Sequence, residues 1–342
     1  MINIDYNLLI IIFIISIIFN YLVIKFNLVN KKNYSQVQDI HIGNPSRFGG
    51  LPIFILFTIY QILYFKNLNI FFLCSVFIIL PAFLEDCRVQ VSPIIRLLAI
   101  ITASAILVMS LPSLPQFDFG FLNSLFNNRV FQIIFFTLAM SVVVNGQNII
   151  DGTNGLSAMS SIAIFASLLF LGFSLNDNHL INTSLFMIVL ILAFLLFNYP
   201  FGKIFLGDMG SYFLGFTASY YVIDVFSKHP DIPAWSAVTI LFYPTLEVVF
   251  SYFRKIIQKK SPFLPDKQHL HLKIYYLLSH GSDRNRLNNA LVAPFLGIVW
   301  LSPLALLPFS LQYPIWSLLL LLCLILLYIF FYIAIPNPQI EN

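Results

Sequence analysis

The sequence predicts an all-α polytopic membrane protein of about eleven transmembrane helices, and three observations carry that prediction. Hydrophobic residues make up 59% of the chain and charged residues 9%, with mean hydropathy +0.88, well outside the composition of soluble domains. Eleven apolar segments are long enough to cross, or nearly cross, a bilayer. The basic residues then fall almost entirely on one side of the alternation that those segments define.

The segments run over 7–25, 49–65, 68–84, 93–111, 129–146, 155–174, 180–197, 209–226, 235–253, 289–309 and 314–334. Asp5 precedes the first, and Lys25, Lys31 and Lys32 follow it. A cleaved signal peptide carries its positive charge ahead of the apolar core, so this segment reads as a retained anchor with an outside N-terminus. The second and third segments are short and cross with little tilt. With the N-terminus outside, Lys25, Lys31, Lys32, Arg47, Arg88, Arg96, Lys203, Arg254, Lys255, Lys259, Lys260, Lys267, Lys273, Arg284 and Arg286 lie inside. Only Lys66, Arg129 and Lys228 of the 18 basic residues lie outside, and moving the register by one span would scramble that division. The expected topology is N-out and C-in. No polar stretch is long enough to fold as a separate soluble module. Residues 1–342 therefore read as one integral-membrane domain, with 254–288 as its largest cytoplasmic loop. Cys74, Cys87 and Cys323 show neither metal-ligand spacing nor a disulfide pattern. Nothing indicates a nucleic-acid partner.

Five short polar clusters hold nearly every residue capable of chemistry, and all five map to the inner face: Asp39 to Gly50, Glu85 to Arg96, Asn145 to Leu156, Asn198 to Ser211 and Arg254 to Lys273. In the third, Asn145, Asn148 and Asp151 recur every third residue, which aims them at one broad face of a helix end. Gly152 and Gly155 let the backbone turn and a ligand approach closely. A plain helix cap needs far fewer polar groups. Asp208, flanked by Gly207 and Gly210, occupies a helix start, where capping of free N–H groups is the ordinary role. Near Asn148 it also suits Mg²⁺, which takes one or two carboxylates together with substrate phosphates. Glu85 and Asp86 are adjacent acids at a helix exit, with Arg96 ten residues on. Arg47 stands before the glycine pair Gly49-Gly50.

His269 and His271 are two residues apart and share a side only in an extended segment. No Cys or His nearby completes a zinc site. Arg254, Lys255, Lys259, Lys260 and Lys267 in the same loop suit anionic ligands. Glu247 is the one acid clearly inside a span. Burying a carboxylate at a helix centre costs roughly 2.5–3.5 kcal/mol on insertion scales, so it needs partners, and the basic groups of the inner face are the expected ones.

On these stretches the chain resembles the polyprenyl-phosphate N-acetylhexosamine-1-phosphate transferases, the superfamily that includes phospho-N-acetylmuramoyl-pentapeptide transferase. The stretches are Ser46-Arg-Phe-Gly-Gly50, Glu85-Asp86 with Arg96, Asn145-x-x-Asn148-x-x-Asp151-Gly-x-x-Gly155, Asn198-Tyr-Pro200 with Ile204-Phe-Leu-Gly-Asp-Met-Gly-Ser211, and Ser261-Pro-Phe-x-Pro-Asp266-x-x-His269-x-His271. They occur in family order across about residues 1–335. Three positions depart from the pattern: Glu85 replaces the first of an Asp pair, Leu272 follows His271 where a further His is common, and Glu247 stands where Asp is common. The short Pro-Asp-His loop is closer to the glycan-initiating enzymes than to the peptidoglycan translocase.

The resemblance implies transfer of a HexNAc-1-phosphate from a UDP-HexNAc, by default UDP-GlcNAc, to undecaprenyl phosphate. UMP would be released at the cytoplasmic face of a bacterial inner membrane, which begins a lipid-linked glycan. It implies Mg²⁺, with Mn²⁺ as a substitute, on Asn148 and Asp208. It places Asp151 and Asn154 near the nucleotide, Arg96, His269 and His271 on phosphate, Arg47 and Asn145 among the substrate contacts, and Asp86, Glu85, Asp151 and Asp208 in the catalytic set. A homodimer is an option by analogy, with no motif of its own. Donors carrying a 6-deoxy-HexNAc or a phospho-MurNAc-pentapeptide are the alternatives within the class. A secondary transporter would instead show inverted hydropathy repeats and ionisable groups at the midplane, and a non-catalytic scaffold would not need the glycine–carboxylate clusters.

Overall fold

A computed structural model describes residues 5–26, 45–65, 69–117, 120–261, 267–279 and 286–337. Lys31, Lys32, Asp39, Lys66, Asp266 and Arg284 lie outside the described residues. The helices, in chain order, are α1 (Tyr6–Phe26), α2 (Gly50–Phe65), α3 (Ile70–Asp86), α4 (Pro93–Ser110), α5 (Phe121–Phe126), α6 (Arg129–Ile149), α7 (Leu156–Leu175), α8 (Asn178–Asn198), α9 (Gly207–Lys228), α10 (Trp235–Ile240), α11 (Phe242–Ile257), α12 (Leu270–Leu278), α13 (Arg286–Phe295), α14 (Gly297–Trp300), α15 (Ser302–Ser310) and α16 (Pro314–Ala334). Among the described residues the sole β pairing is an isolated parallel bridge between Ser46 and Ile204.

Seven stretches are long and apolar enough to cross a membrane: Tyr6–Phe26, Pro93–Ser110, Arg129–Gly152, Leu156–Leu175, Asn178–Asn198, Leu287–Ser310 and Pro314–Ala334. The chain is a multi-pass membrane protein. The other four expected segments are also helical, and each differs for a visible reason. Helices α2 and α3 have 16 and 17 residues. The segment 235–253 is broken at Leu241 into α10 and α11. Helix α9 has 22 residues but carries Asp208, Asp224 and Lys228. The stretch 254–288 is not all loop, because it holds the end of α11 and the whole of α12.

Helix α9 is the axis of the bundle. It is buried along nearly its whole length and packs against α2, α3, α6 and α7. Its sequence is rich in Gly, Ser and Thr because its neighbours are helices rather than lipid, and small residues let helix backbones come close. A Cβ on Gly50 would lie 2.2 Å from the Cα of Gly210, and one on Gly215 would lie 2.8 Å from the Cα of Val144. The peripheral helices show the opposite pattern. On α1 the exposed residues Ile10, Ile14 and Ile18, and on α16 Leu322, Leu326 and Phe330, recur every fourth residue, an apolar stripe suited to acyl chains.

A second core lies beside the main one. Ile150 and Leu156 join Tyr243, Leu270, Leu272, Ile274, Val292, Leu324 and Tyr328. It anchors α12, the helix that begins at the histidines, against the turn that follows α6.

The glycine contact between α2 and α9 is backbone against backbone, so no side chain can yield. Gly50→Ala is expected to destabilise the detergent-solubilised protein by about 1–3 kcal/mol, as overpacked cores do, read as a lower midpoint in thermal unfolding. Gly297→Ala, where a Cβ meets nothing within 4 Å, is the matched control and is expected to leave the midpoint unchanged.

Candidate active site

The site is built on the N-terminus of α9. The chain reaches it through a short parallel register in which Phe205 N donates to Ser46 O (2.8 Å), Gly49 N to Phe205 O (2.8 Å) and Gly50 N to Leu206 O (3.0 Å). This pairing brings the segment before α2 alongside the segment before α9. Gly207 sits at φ +73°, and a Cβ there would fall 2.1 Å from Arg47 O and 2.5 Å from Asp86 Oδ2. Only glycine fits.

Asp86, the last residue of α3, caps α9 from across the bundle. Its Oδ1 accepts from Asp208 N (3.1 Å) and its Oδ2 from Met209 N (3.0 Å). A carboxylate on the first N–H groups of a helix satisfies donors that have no intrahelical partner and complements the helix dipole. Arg47 bridges the two acids, with Nε 3.3 Å from Asp86 Oδ1 and Nη2 donating to Asp208 Oδ1 at 3.0 Å. Arg96, from the first turn of α4, donates to Asp208 Oδ2. Asn148, at the end of α6, donates through Nδ2 to Asp208 Oδ1 (3.2 Å) and Ser211 Oγ (2.9 Å). Asp151 follows in the 3-10 turn Ile150–Gly152 and interacts electrostatically with Arg47, Asp208 and Asp86. Burial opposes the Arg47 charge, but the fields of Asp86, Asp208, Asp151 and Glu85 outweigh it, and its guanidinium is held above its ordinary value.

Arg47, Asp86, Arg96, Asn148, Asp151 and Asp208 thus converge from five segments, as the sequence reading expects. Three carboxylates and two guanidiniums are gathered at this helix end. Asp208 offers hard carboxylate oxygens, and the Asn148 side chain, whose Nδ2 faces it, carries an amide oxygen beside them. No trio of His, Cys, Asp or Glu close enough to enclose a metal occurs among the described residues. That combination fits Mg²⁺ held by one or two protein groups and completed by substrate phosphates, and not a metal caged by protein alone.

The histidines form an adjoining group. His269 has extended dihedrals (φ −66°, ψ 145°) just before α12, which is why it and His271 face the same way, their rings 5.7 Å apart. Both face Glu247: His269 Nδ1 lies 3.2 Å from Oε2 and His271 Nδ1 lies 3.8 Å from Oε1. Glu247 therefore sits among these imidazoles, Tyr243 and Tyr328, whereas Arg254 bonds Gln268, Tyr332 and Ser251. On its far side, His271 Nε2 would be 2.7 Å from a Cβ on Gly152. Gly152 thereby joins the two groups. Burial lowers the His271 imidazole below its ordinary range, and Glu247 offsets only part of that effect.

The remaining residues scaffold the turn around Asp151. Asn154 N donates to Asn289 Oδ1 (2.6 Å) and Asn154 Nδ2 to Pro200 O (2.9 Å). Asn198 accepts from Gly155 N (2.7 Å) and donates to Ile204 O (2.8 Å), which ties the Asp-Gly turn to the approach of α9. The Tyr199–Pro200 peptide is cis. Two expected site residues stand apart. Glu85 accepts from Val91 N (2.9 Å) and closes the α3–α4 turn, and Asn145 donates to Ser141 O (2.7 Å) one turn back in its own helix. Sequence reasoning missed Asn289, which is 135 residues from the turn it supports and gives no local signal.

Residues 68–226 match the model of glycosyl transferase family 4, a stretch that runs through α3 to α9 and includes every site residue except Arg47, Glu247, the histidines and Asn289. The chain is similar to a probable undecaprenyl-phosphate N-acetylglucosaminyl 1-phosphate transferase of Bacillus subtilis, 27% identical over 78% of this chain and 75% of the relative. It is also similar to the undecaprenyl-phosphate alpha-N-acetylglucosaminyl 1-phosphate transferases of Thermotoga maritima (29%, over 65% of each chain) and Escherichia coli K12 (26%, over 72% of this chain and 69% of the relative).

The lowered His271 gives a pH dependence of definite sign. The unfolded chain takes up this proton near roughly pH 6.5 and the folded chain only at lower pH, so the stabilisation is complete above that value and declines as pH falls. Between pH 7.5 and 5.5 the unfolding midpoint of the wild type is expected to drop, and His271→Asn is expected to lose less. Equal losses in the two proteins would remove His271 as the cause.

Proposed function

We propose that this chain is a member of glycosyl transferase family 4, whose model matches residues 68–226, and that it transfers N-acetylglucosamine 1-phosphate from UDP-GlcNAc to undecaprenyl phosphate and releases UMP. The observation that carries this reading is the convergence of Arg47, Asp86, Arg96, Asn148 and Asp208 on one helix N-terminus. Support also comes from the names of the similar proteins, which specify this acceptor and this sugar phosphate.

In the reaction an oxygen of the lipid phosphate attacks the sugar-bearing phosphorus of the donor, the bond to the uridylate oxygen breaks, and UMP departs. The sugar's anomeric C–O bond stays intact. The obstacle is anion meeting anion: at about 4 Å and an effective dielectric near 20, each like-charge pair costs on the order of 4 kcal/mol. Arg47 and Arg96 are placed to meet this charge. Both are half-buried and pair with the Asp208 carboxylate. A Mg²⁺ ion on Asp208 and Asn148 would supply further charge neutralisation and alignment of the two phosphates. Asp151, at the turn under His271, faces the nucleotide side.

Asp86 positions. Both of its oxygens accept backbone N–H groups of α9 and one also meets Arg47, so its geometry is that of a helix cap. A phosphate monoester has a second pKa near 6, so the lipid nucleophile is mostly dianionic at neutral pH and needs no strong base. We assign the reaction to direct in-line attack without a phospho-enzyme.

The membrane setting follows from this chemistry. The acceptor's prenyl chain stays in the bilayer while the nucleotide sugar is water-soluble, and a site at helix ends on one face lets both arrive without either crossing. We place that face in the cytoplasm of a bacterial inner membrane, with eleven spans and the N-terminus outside, on the distribution of basic residues.

Membranes containing the protein, Mg²⁺, undecaprenyl phosphate and UDP-GlcNAc are expected to release UMP, and chelation by EDTA is expected to stop it. Asp208→Asn should lower the rate by about 10²-fold or more, while Lys228→Ala, at the opposite end of α9, should not change it. Full UMP release by the Asp208 variant would remove this site from the reaction.

A further inference from the structure

The buried carboxylate of Glu247 has no place in the chemistry above, yet it sits at the centre of an organised group. It is 1% exposed. It belongs to α11, which packs on α6, the helix that leads into the Asp151 turn. A carboxylate removed from water needs well-placed partners, and those around Glu247 are two imidazoles and the Tyr243 and Tyr328 hydroxyls. His269 presents Nδ1 to the carboxylate at hydrogen-bond distance (3.2 Å), and His271 points its Nδ1 at the other carboxylate oxygen from 3.8 Å. Each ring therefore turns its Nε2 edge away from Glu247, and that of His271 rests over Gly152, next to Asp151.

We propose that Glu247 is a positioning residue for the transfer reaction: it fixes the orientation and the tautomer of His269 and His271, so that the Nε2 edge of His271 faces the Asp151–Gly152 turn. A carboxylate only accepts, so a neutral imidazole beside it carries its proton on Nδ1 and has Nε2 unprotonated, and a protonated one donates through Nε2 with its charge offset by Glu247. In either state the same edge is offered to a ligand. Carboxylates that orient metal-bound histidines act in the same way, and their removal costs about 10–100-fold in activity. The length of Glu matters as well, because a single carboxylate spans two rings 5.7 Å apart.

The inference rests on the proposed function for its kinetic consequence and on geometry alone for its tautomer. Both are read on the full-length protein in nanodiscs with ¹⁵N-histidine labelling, the two rings being assigned with His269→Asn and His271→Asn. Wild type is expected to show Nδ1 protonated in both rings. Glu247→Gln keeps the side-chain length but turns one acceptor into a donor, so at least one ring should move its proton to Nε2. With UDP-GlcNAc and undecaprenyl phosphate, that variant should lose about tenfold or more in kcat with KM for the nucleotide sugar little changed. Glu247→Asp, which keeps both acceptors, should recover part of the loss. Glu247→Gln added to the His269→Asn and His271→Asn pair should be no slower than that pair alone, since a residue acting through others adds nothing once they are gone. Should the Gln variant prove too unstable to purify, the Asp variant takes its place in the same cycle. Unchanged tautomers in Glu247→Gln, or a further loss when Glu247→Gln is added to the two histidine substitutions, would overturn the proposal. An absence of turnover in the wild type would instead count against the assigned reaction and leave the tautomer result to stand or fall by itself.

Discussion

The carboxylate of Asp86 on the first N–H groups of α9 is the interaction on which the rest of the site depends. It joins the end of one helix to the start of another 122 residues later. It also places Asp208 where Arg47, Arg96 and Asn148 can all reach it. A helix N-terminus attracts anions because its free N–H groups and dipole both favour negative charge. Here a protein carboxylate occupies that position and leaves the side chain of Asp208, one step along, to present its oxygens to the cluster. Gly207 makes the arrangement sterically feasible, since any Cβ at that position would strike both Arg47 O and Asp86.

The bundle supplies the environment that makes such a cluster effective. Helix α9 is enclosed by protein, so its acidic end is shielded from lipid, and charges at a helix end avoid the cost of the bilayer centre. The Asp151 turn is then held from three sides: Asn198 from the end of α8, Asn289 from α13 and His271 from α12. Three unconnected segments thus converge on five residues of chain. This degree of support is what a site needs when phosphates must be aligned with little freedom to move.

Much of this was legible in the sequence, and the reasons are specific. The density of amides, carboxylates and glycines at 145–155 and 205–211 exceeds what capping requires, and both stretches reach the site. The eleven apolar segments all proved helical, yet hydropathy underrates α9, whose surroundings are other helices, and misses the break at Leu241 in 235–253. The period of three groups Asn145 with Asn148 and Asp151, but on a real helix Asn145 turns its amide to Ser141 O one turn back. Glu247 announces itself as a buried acid, while its partners do not: helical spacing points to Arg254, and the actual contacts come from the stretch before and into α12. That pairing depends on the extended dihedrals of His269, which no local pattern fixes. The role of Arg47 depends on the Ser46–Ile204 bridge, a contact across 158 positions that pattern reasoning does not reach.

The most direct test of the central claim is a crystal structure of the protein grown with Mn²⁺ and UDP-GlcNAc, with the metal located by anomalous scattering. The account predicts one peak bounded by the Asp208 carboxylate and the Asn148 amide, donor phosphate oxygens completing its shell, and Asp86 still bonded to the N–H groups of Asp208 and Met209. A metal bound away from Asp208, or donor phosphates remote from Arg47 and Arg96, would contradict it.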